Sequence, residues 1–401
     1  MLEFEEALAR VLDAVPSPTS QVVPLSEAAG RVLAEQVRSP IDLPVFDNSA
    51  MDGYGLRAAD VASAKPDSPV RLRLAGKIAA GEVFAGEVPA GNCVRLFTGS
   101  PLPPGTDAVV MQEATRVESS APREVLIQAR VAPGENVRSR GEDVKRGSTV
   151  GSAGELLTAG RLGLLAAVGL TDVRVGRQPV VGLLATGSEL QEPGLPLASG
   201  RIYESNRLAL ATLIKRAGAL PRTFPLVADE LAATSLALAD ACEQCDAVVT
   251  TGGVSVGELD FIKRAFQQVG GELAFWKVAI RPGRPFAFGG CRGKLLFGLP
   301  GNPVSALVTF LLLVRPALLR WQGAANVSLP VQPGVLAEPL VNDGGRRHFM
   351  RVKVDPGGNV GSAGVQASHV LSSAAVANGL VDVPANTTLI AGTAVPVLRW
   401  D

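Results

Sequence analysis

The sequence predicts a multidomain protein of the α/β plus β class, and three observations predict it. The 401 residues exceed one ordinary domain. Between residues 179 and 322, continuous apolar runs alternate with helical patterns, as expected for a mostly parallel sheet covered on both faces, a doubly wound domain. From about 40 to 150, and again over the last part of the chain, short apolar runs are separated by Gly and Pro, the texture of turn-rich β structure.

The elements follow in order. Phe4, Leu8, Val11, Leu12 and Val15 recur at helical spacing, which predicts an amphipathic helix over residues 3–15. Strands are predicted at 70–74, 93–97, 108–111 and 125–131. Residues 155–169 return to a helical pattern through Leu157, Leu162, Leu165 and Ala166, and are expected to pack near the first helix. The alternation then begins with strand 179–185, helix 206–217, helix 231–241 and strand 247–251. Helix 258–269, strands 273–280 and 294–299, and a long apolar helix at 303–320 complete it. Strands 349–354 and 387–398 are predicted beyond.

Composition excludes some functions. Hydrophobic residues are 47% and charged residues 19%, as in a globular protein with a substantial core. With 38 basic and 38 acidic residues, the chain has no excess cation to grip nucleic acid, and 4% aromatics are too few for base stacking. The first ten residues are acidic and amphipathic, unlike a signal peptide. The apolar run 306–319 is interrupted by Arg315 and Pro316 and fits a buried helix, not a membrane span. Four scattered cysteines fit reduced thiols, so the cytoplasm is the expected compartment.

In open α/β sheets ligands bind beyond the carboxyl ends of the strands, against helix N-termini. Three such ends carry glycine turns: Thr186-Gly187-Ser188-Glu189, Thr251-Gly252-Gly253-Val254-Ser255-Val256-Gly257-Glu258, and Leu299-Pro300-Gly301-Asn302-Pro303. Glycines let the backbone approach a ligand, and the following helix offers free N–H groups to an anion. Three in register point to a phosphate or similar oxyanion. Neither a G-x-x-x-x-G-K-[ST] loop nor a well-placed G-x-G-x-x-G is present, which disfavours ordinary P-loop and Rossmann sites.

Asp260 closely follows the second loop, and Asp229-Glu230 precedes the helix before its strand. Carboxylates beside a phosphate site serve a divalent cation. Asp229 also fits as the cap of helix 231–241, and Asp260 as a first-turn residue favoured by the helix dipole. The spacing leaves both readings open. Arg281-Pro282-Gly283-Arg284-Pro285 leaves strand 273–280, and two arginines around a rigid turn can converge on one tetrahedral oxyanion. Cys242-x-x-Cys245 has no second cysteine pair and fits buried thiols. The two histidines, His348 and His369, suggest neither a zinc site nor a Ser-His-Asp arrangement.

Several long segments together resemble one family. Asp42-Leu43-Pro44-Val45-Phe46-Asp47-Asn48-Ser49-Ala50-Met51-Asp52-Gly53-Tyr54-Gly55 is similar to a signature of the molybdopterin molybdenumtransferase (MoeA) family and the gephyrin E domain. So are Phe97-Thr98-Gly99-Ser100-Pro101-Leu102-Pro103-Pro104-Gly105 and Val137-Arg138-Ser139-Arg140-Gly141-Glu142-Asp143. Residues 251–260 and Gly298-Leu299-Pro300-Gly301-Asn302-Pro303-Val304-Ser305 resemble that family's molybdopterin-binding domain.

The resemblance implies four parts: an elongated α-containing domain from residues 1–45 and 145–178, a β-rich domain inserted at 46–144, the molybdopterin-binding α/β domain at 179–322, and a C-terminal β-barrel at 323–401. It implies a homodimer whose cleft gathers segments of both subunits. It also implies a Mg²⁺-dependent reaction that converts adenylylated molybdopterin and molybdate to molybdenum cofactor and AMP. Molybdate is then a substrate, and other cofactor-biosynthesis enzymes and recipient molybdoenzymes are further partners.

Position by position, Asp229 and Asp260 match acidic residues the family needs for activity, and would hold Mg²⁺. Asp52 and Asp143 match further acidic positions that face the cleft across the dimer, and Lys277 matches a cleft lysine. Arg281, Arg284, Ser305, Arg346 and Ser368 match positions tied to oxyanion or molybdate binding. Thr186, Gly187, Gly252, Gly253, Ser255, Gly257, Gly301 and Asn302 form the loops for the pterin's phosphate groups. The family usually has lysines where Arg281 and Arg284 stand, an acidic residue at Ser188 and a glycine at Ala367.

Two rivals share the architecture. A pterin adenylyltransferase or nucleotide pyrophosphatase on the same α/β domain would lack the segments around Asp52 and Asp143. A peptide-binding scaffold of the gephyrin type is the other, and retention of all four aspartates argues against a silent one.

Overall fold

A six-stranded sheet organises residues 180–299. It is seen in a computed structural model of the chain, which describes residues 1–79, 81–252 and 259–400, the side chains of 259–261 excepted. The strand order is Leu220–Thr223, Val180–Ala185, Ala247–Thr251, Lys294–Leu299, Pro285–Cys291 and Gly271–Lys277. The first four run parallel, and the last two pairings are antiparallel.

Both faces of the inner strands are buried, whereas the edge strands Leu220–Thr223 and Gly271–Lys277 are largely exposed. Val181, Leu183, Val249 and Phe297 pack with Leu210, Ile214, Val304 and Val308 on one side. Leu184, Val248 and Leu296 pack with Leu238, Ala241, Ile262 and Phe266 on the other. Burying one such side chain stabilises by about 1.5–3 kcal/mol, so neither face tolerates polar alternation and the strands appear as unbroken apolar runs. The doubly wound arrangement follows. All four cysteines are buried free thiols.

Two strand boundaries differ from the sequence reading. Pro285–Cys291, which was not expected, pairs with Lys294–Leu299 across a tight turn at Arg292-Gly293, where both residues have positive φ. Its glycines and leading proline hid the apolar Phe286, Ala287 and Phe288. The single strand expected at 273–280 is two pieces: Gly271–Lys277 in the central sheet, and Ile280–Arg281, which pairs with Arg347–Val354 of the C-terminal sheet.

The long apolar helix, Pro303–Trp321, is 78% buried within the protein. Pro316 has no N–H for the carbonyl four residues before it, and the preceding turn, Phe310–Val314, is wound as a π-helix. The first helix, Phe4–Asp13, packs here through Ala7 and Val11, and Phe4 meets Phe349 edge-on at 5.4 Å. It was expected beside the helix Ala159–Ala167. That helix instead buries Leu165 in a separate core with Val23, Leu33 and Val175, because its own flanking strands hold it there.

Strand pairs join the beginning of the chain to residues 149–176: Ser20–Pro24 with Asp172–Gly176, and Val37–Arg38 with Thr149–Gly151. Between them a mixed sheet runs Ala108–Met111, Gly53–Leu56, Asn92–Leu96, Val70–Ile78, Glu124–Ile127 and Thr115–Val117. At the C-terminal end, Arg347–Val354, Asn359–Ser362, Val331–Leu336, Ala394–Arg399 and Gly379–Val383 close into a barrel, the last pairing with the first. The strand expected at 387–398 is broken by a turn at Gly392, and its first half, Thr387–Leu389, pairs with Leu340–Asn342 instead.

Candidate functional site

Three parallel strands deliver the site. Val180–Ala185, Ala247–Thr251 and Lys294–Leu299 end side by side, so Thr186, Gly252 and the Pro300-Gly301-Asn302 turn meet at one edge. The Thr186 N–H donates to Thr251 O at 3.0 Å. Gly252 has φ +90°, and a Cβ there would lie 2.2 Å from Thr186 O, so only glycine fits. These turns open on a cleft of about 550 Å³, which Glu189, Asp229 and His369 also line.

The floor of the cleft is polar and only partly satisfied. Thr186 is 2% exposed, and its hydroxyl has no hydrogen-bond partner among the described residues. The Asp229 carboxylate accepts the Ser188 N–H at 3.1 Å. Asn302 is the N-cap residue of the helix Pro303–Thr309, yet its side chain does not cap it. Instead Asn302 Nδ2 donates to Ser368 Oγ at 3.0 Å, and the Val304 N–H donates to Ser368 O at 3.2 Å. A loop of the C-terminal barrel is thereby fixed to the ligand edge of the α/β sheet.

A cationic cluster adjoins this edge. Gly283, between Arg281 and Arg284, has φ +109° and leaves no room for a Cβ, which would stand 2.3 Å from Thr309 Cγ2. The tight turn throws both arginines toward Arg346, whose Nη1 donates to Ile280 O at 3.0 Å. Burial pushes the Arg346 pKa down, and repulsion from Arg284 and Arg281 adds to it. Among the described residues no carboxylate pairs with any of the three. Buried beside them, His348 is 1% exposed, and both ring nitrogens lack a partner among the described residues. Burial first, then Arg281, Arg351 and Arg346, lower its pKa to about 4, against a smaller opposing effect of Asp343. Such an assembly attracts an oxyanion.

Profiles of three regions match the chain in order. That of the MoeA N-terminal region (domain I and II) matches residues 2–169, that of a probable molybdopterin binding domain residues 182–320, and that of the MoeA C-terminal region (domain IV) residues 333–400. The molybdopterin molybdenumtransferase of Haemophilus influenzae is 41% identical over 379 residues, 93% of this chain and 92% of that protein. The molybdopterin molybdenumtransferase 2 of Mycobacterium tuberculosis is 40% identical over 386 residues, 94% of each. The crystal structure of the molybdopterin biosynthesis MoeA protein from Pyrococcus horikoshii OT3 superposes with a TM-score of 0.85 at 31% identity, covering 100% of both chains. The chain belongs to the molybdopterin molybdenumtransferase (MoeA) family.

The positions carried over from the MoeA family separate into groups. Thr186, Asp229, Gly252, Gly301 and Asn302 line the cleft; Gly187 adjoins them, and Ser368 touches its rim through Asn302. Arg281, Arg284 and Arg346 form the neighbouring cluster. Ser305 is buried at 4% exposure, and Lys277 is half-buried at the end of its strand and does not line the cleft. Asp52 and Asp143 are exposed and do not line it either. Asp52 Oδ1 accepts both the N–H and the hydroxyl of Thr98 at 2.8 Å, the N–H first, and these bonds hold its carboxyl below the usual range. Gly253, Ser255 and Gly257 lie outside the described residues, as does the side chain of Asp260, which stands on the helix Leu259–Gln268.

Sequence reasoning missed part of the cleft wall. Leu190, Ile202, Tyr203 and Asn206 line it, and Asn206 Nδ2 donates to Gly301 O at 2.8 Å. The signal was weak: a Pro- and Gly-rich stretch at 193–200 followed by Ile202-Tyr203, two large apolar residues outside any periodic run.

Proposed function

We propose that this chain inserts molybdenum from molybdate into adenylylated molybdopterin and releases AMP. Molybdenum cofactor biosynthesis by a transferase is the work of its family, and the specific step is our reading. One observation carries it: a buried threonine hydroxyl with no partner among the described residues and an aspartate line a glycine-walled cleft, next to three arginines that no described carboxylate pairs. The cleft suits phosphate groups held by backbone N–H groups, and the arginines suit a tetrahedral dianion such as molybdate.

The donor set fits Mg²⁺. Asp229 and the Thr186 hydroxyl are hard oxygen ligands, and among the described residues no three His, Cys, Asp or Glu side chains form a metal cage. Mg²⁺ is characteristically held by one or two carboxylates with substrate phosphates and waters. Asp229 and Asp260 would hold it, and when bound it polarises the phosphoanhydride. The chain's own groups do the positioning. Gly252 and Gly301 let the backbone approach the phosphates, Ser188 orients Asp229, and the Arg281–Arg284 turn holds the oxyanion beside the dithiolene. Water attacks the adenylyl phosphorus and the phosphoanhydride P–O bond breaks, so AMP leaves and molybdopterin keeps its own phosphate, while the two dithiolene thiols bind molybdenum and displace one molybdate oxide as water.

We further propose a cytoplasmic homodimer in which Asp52 and Asp143 complete the neighbour's cleft, with Lys277 among the groups facing the substrate. Other enzymes of cofactor biosynthesis and recipient molybdoenzymes are its expected partners. The test is to incubate purified protein with adenylylated molybdopterin and molybdate, with and without Mg²⁺, and to measure AMP. AMP release that needs both molybdate and Mg²⁺ supports the reading. Pyrophosphate release from ATP and molybdopterin would make it an adenylyltransferase, and no turnover would leave the scaffold.

A further inference from the structure

The cleft is lined by two unlike sets of residues. Thr186, Asp229, Gly252 and Gly301 form one, suited to phosphate. In the other, a small flap of Leu190–Gln191 paired in parallel with Ile202–Tyr203 brings Leu190, Ile202 and Tyr203 to the cavity. Ile202 and Tyr203 remain 55% and 45% exposed. Among the described residues lining the cleft, Tyr203 is the one Phe, Tyr or Trp.

The flap is braced from behind. Tyr203 Oη donates to Leu195 O at 2.7 Å, and the Arg201 guanidinium donates to Ser188 O. Arg207, itself buried, ties Glu192 at 2.6 Å and Glu204 at 3.0 Å. The hydroxyl of Tyr203 is therefore already engaged, and the ring is what it presents to a ligand. A fixed ring loses little entropy on binding and stacks on any planar heterocycle.

We propose that Tyr203, flanked by Leu190 and Ile202, is the shelf on which a fused heteroaromatic ring of the ligand stacks while its phosphates occupy the glycine turns. This rests on the proposed function, because adenylylated molybdopterin carries two such rings, adenine and pterin, joined through phosphates. A cleft lined by both polar turns and apolar side chains matches that construction.

Calorimetry on the intact chain tests it, with AMP, a pterin monophosphate and ribose 5-phosphate as probes. Tyr203→Ala should weaken AMP or the pterin monophosphate about tenfold and leave ribose 5-phosphate unchanged. Tyr203→Phe, which keeps the ring, should stay within about threefold of the unaltered protein. Loss confined to AMP assigns the shelf to adenine, and loss confined to the pterin probe assigns it to the pterin. Unchanged binding of both ring ligands overturns the proposal, as does an equal loss of ribose 5-phosphate or a Tyr203→Phe loss as large as that of Tyr203→Ala. If the unaltered chain binds none of the probes and releases no AMP, the proposed function itself falls. If it releases AMP while Tyr203→Ala binds as before, only the shelf falls.

Discussion

Ser188 and Asp229 bond to each other in both directions: the Ser188 N–H donates to Asp229 Oδ2 at 3.1 Å, and the Asp229 N–H donates to Ser188 Oγ at 3.3 Å. This closes one of the alternatives left by the sequence. The helix Leu231–Gln244 has Glu230 as its N-cap residue, with no side-chain cap bond, so Asp229 is spent on the cleft and not on the helix. Asp229→Asn keeps the shape and an acceptor for Ser188 but removes the charge. AMP release at saturating substrate should fall about a hundredfold or more. Ser188→Ala removes only a hydroxyl acceptor, a bond worth about 0.5–1.5 kcal/mol, so its loss should stay below about tenfold. Normal turnover by Asp229→Asn would remove this carboxylate from the machinery.

Arg281, Arg284 and Arg346 repel one another, so each gains when a dianion arrives. A charge-assisted bond to an oxyanion contributes about 1.5–3 kcal/mol, so Arg284→Ala should weaken molybdate use roughly ten- to a hundredfold. High molybdate should restore turnover, and affinity for adenylylated pterin should hold. Arg284→Lys should be mild, since the charge stays on an exposed side chain. The molybdate dependence of AMP release at saturating pterin decides it. An unchanged molybdate requirement with pterin binding lost would move these arginines to the phosphate site.

How much was legible before the structure depends on the kind of signal. Strands such as Val180–Ala185 and Ala247–Thr251 were plain, because burial on both faces forces continuous apolar runs. Glycine turns at their ends marked the ligand edge for the same local reason. Pro285–Cys291 was not seen, because Gly289 and Gly290 dilute its apolar signal while a Cβ at Gly289 would stand 2.1 Å from Glu272 O. Three-dimensional partnership was equally silent. Nothing in the spacing announces that Ser368 reaches Asn302, that His348 lies among arginines, or that Tyr203 borders a cleft built by residues far away in the chain.

Asp52 and Asp143 stand outside the cleft of their own chain, which is why a shared site is proposed. Asp52→Asn should preserve the loop, because an amide oxygen can still take the Thr98 N–H. Paired with an Asp260→Ala chain, it allows hybrid dimers with one intact cleft. Each variant alone should be inactive, and subunit exchange should restore up to about a quarter of normal AMP release. No recovery, with exchange verified by mass spectrometry, would show that each cleft is built by one chain.

His348 makes stability depend on pH in a window the carboxylates do not reach. In the folded chain burial and the neighbouring arginines hold its pKa at about 4, whereas an unfolded histidine titrates near 6.5. Between those values the unfolded state binds the extra proton. Stability is therefore fully present above about pH 6.5 and is lost as pH falls toward 4, by up to about 3 kcal/mol. Glu5, Asp42, Glu155, Asp246 and Asp355 have lowered pKa values as well. Their unfolded forms are half-protonated near pH 4 to 4.5 and begin to take up protons only near pH 5, so the interval from about 5 to 6.5 belongs chiefly to His348. Urea midpoints at pH 7, 6 and 5 should fall for the unaltered protein and stay nearly level for His348→Leu. At pH 7 the leucine variant should be no less stable, because it removes two buried nitrogens that have no partner among the described residues. The same decline in both proteins would place the acid-sensitive group elsewhere.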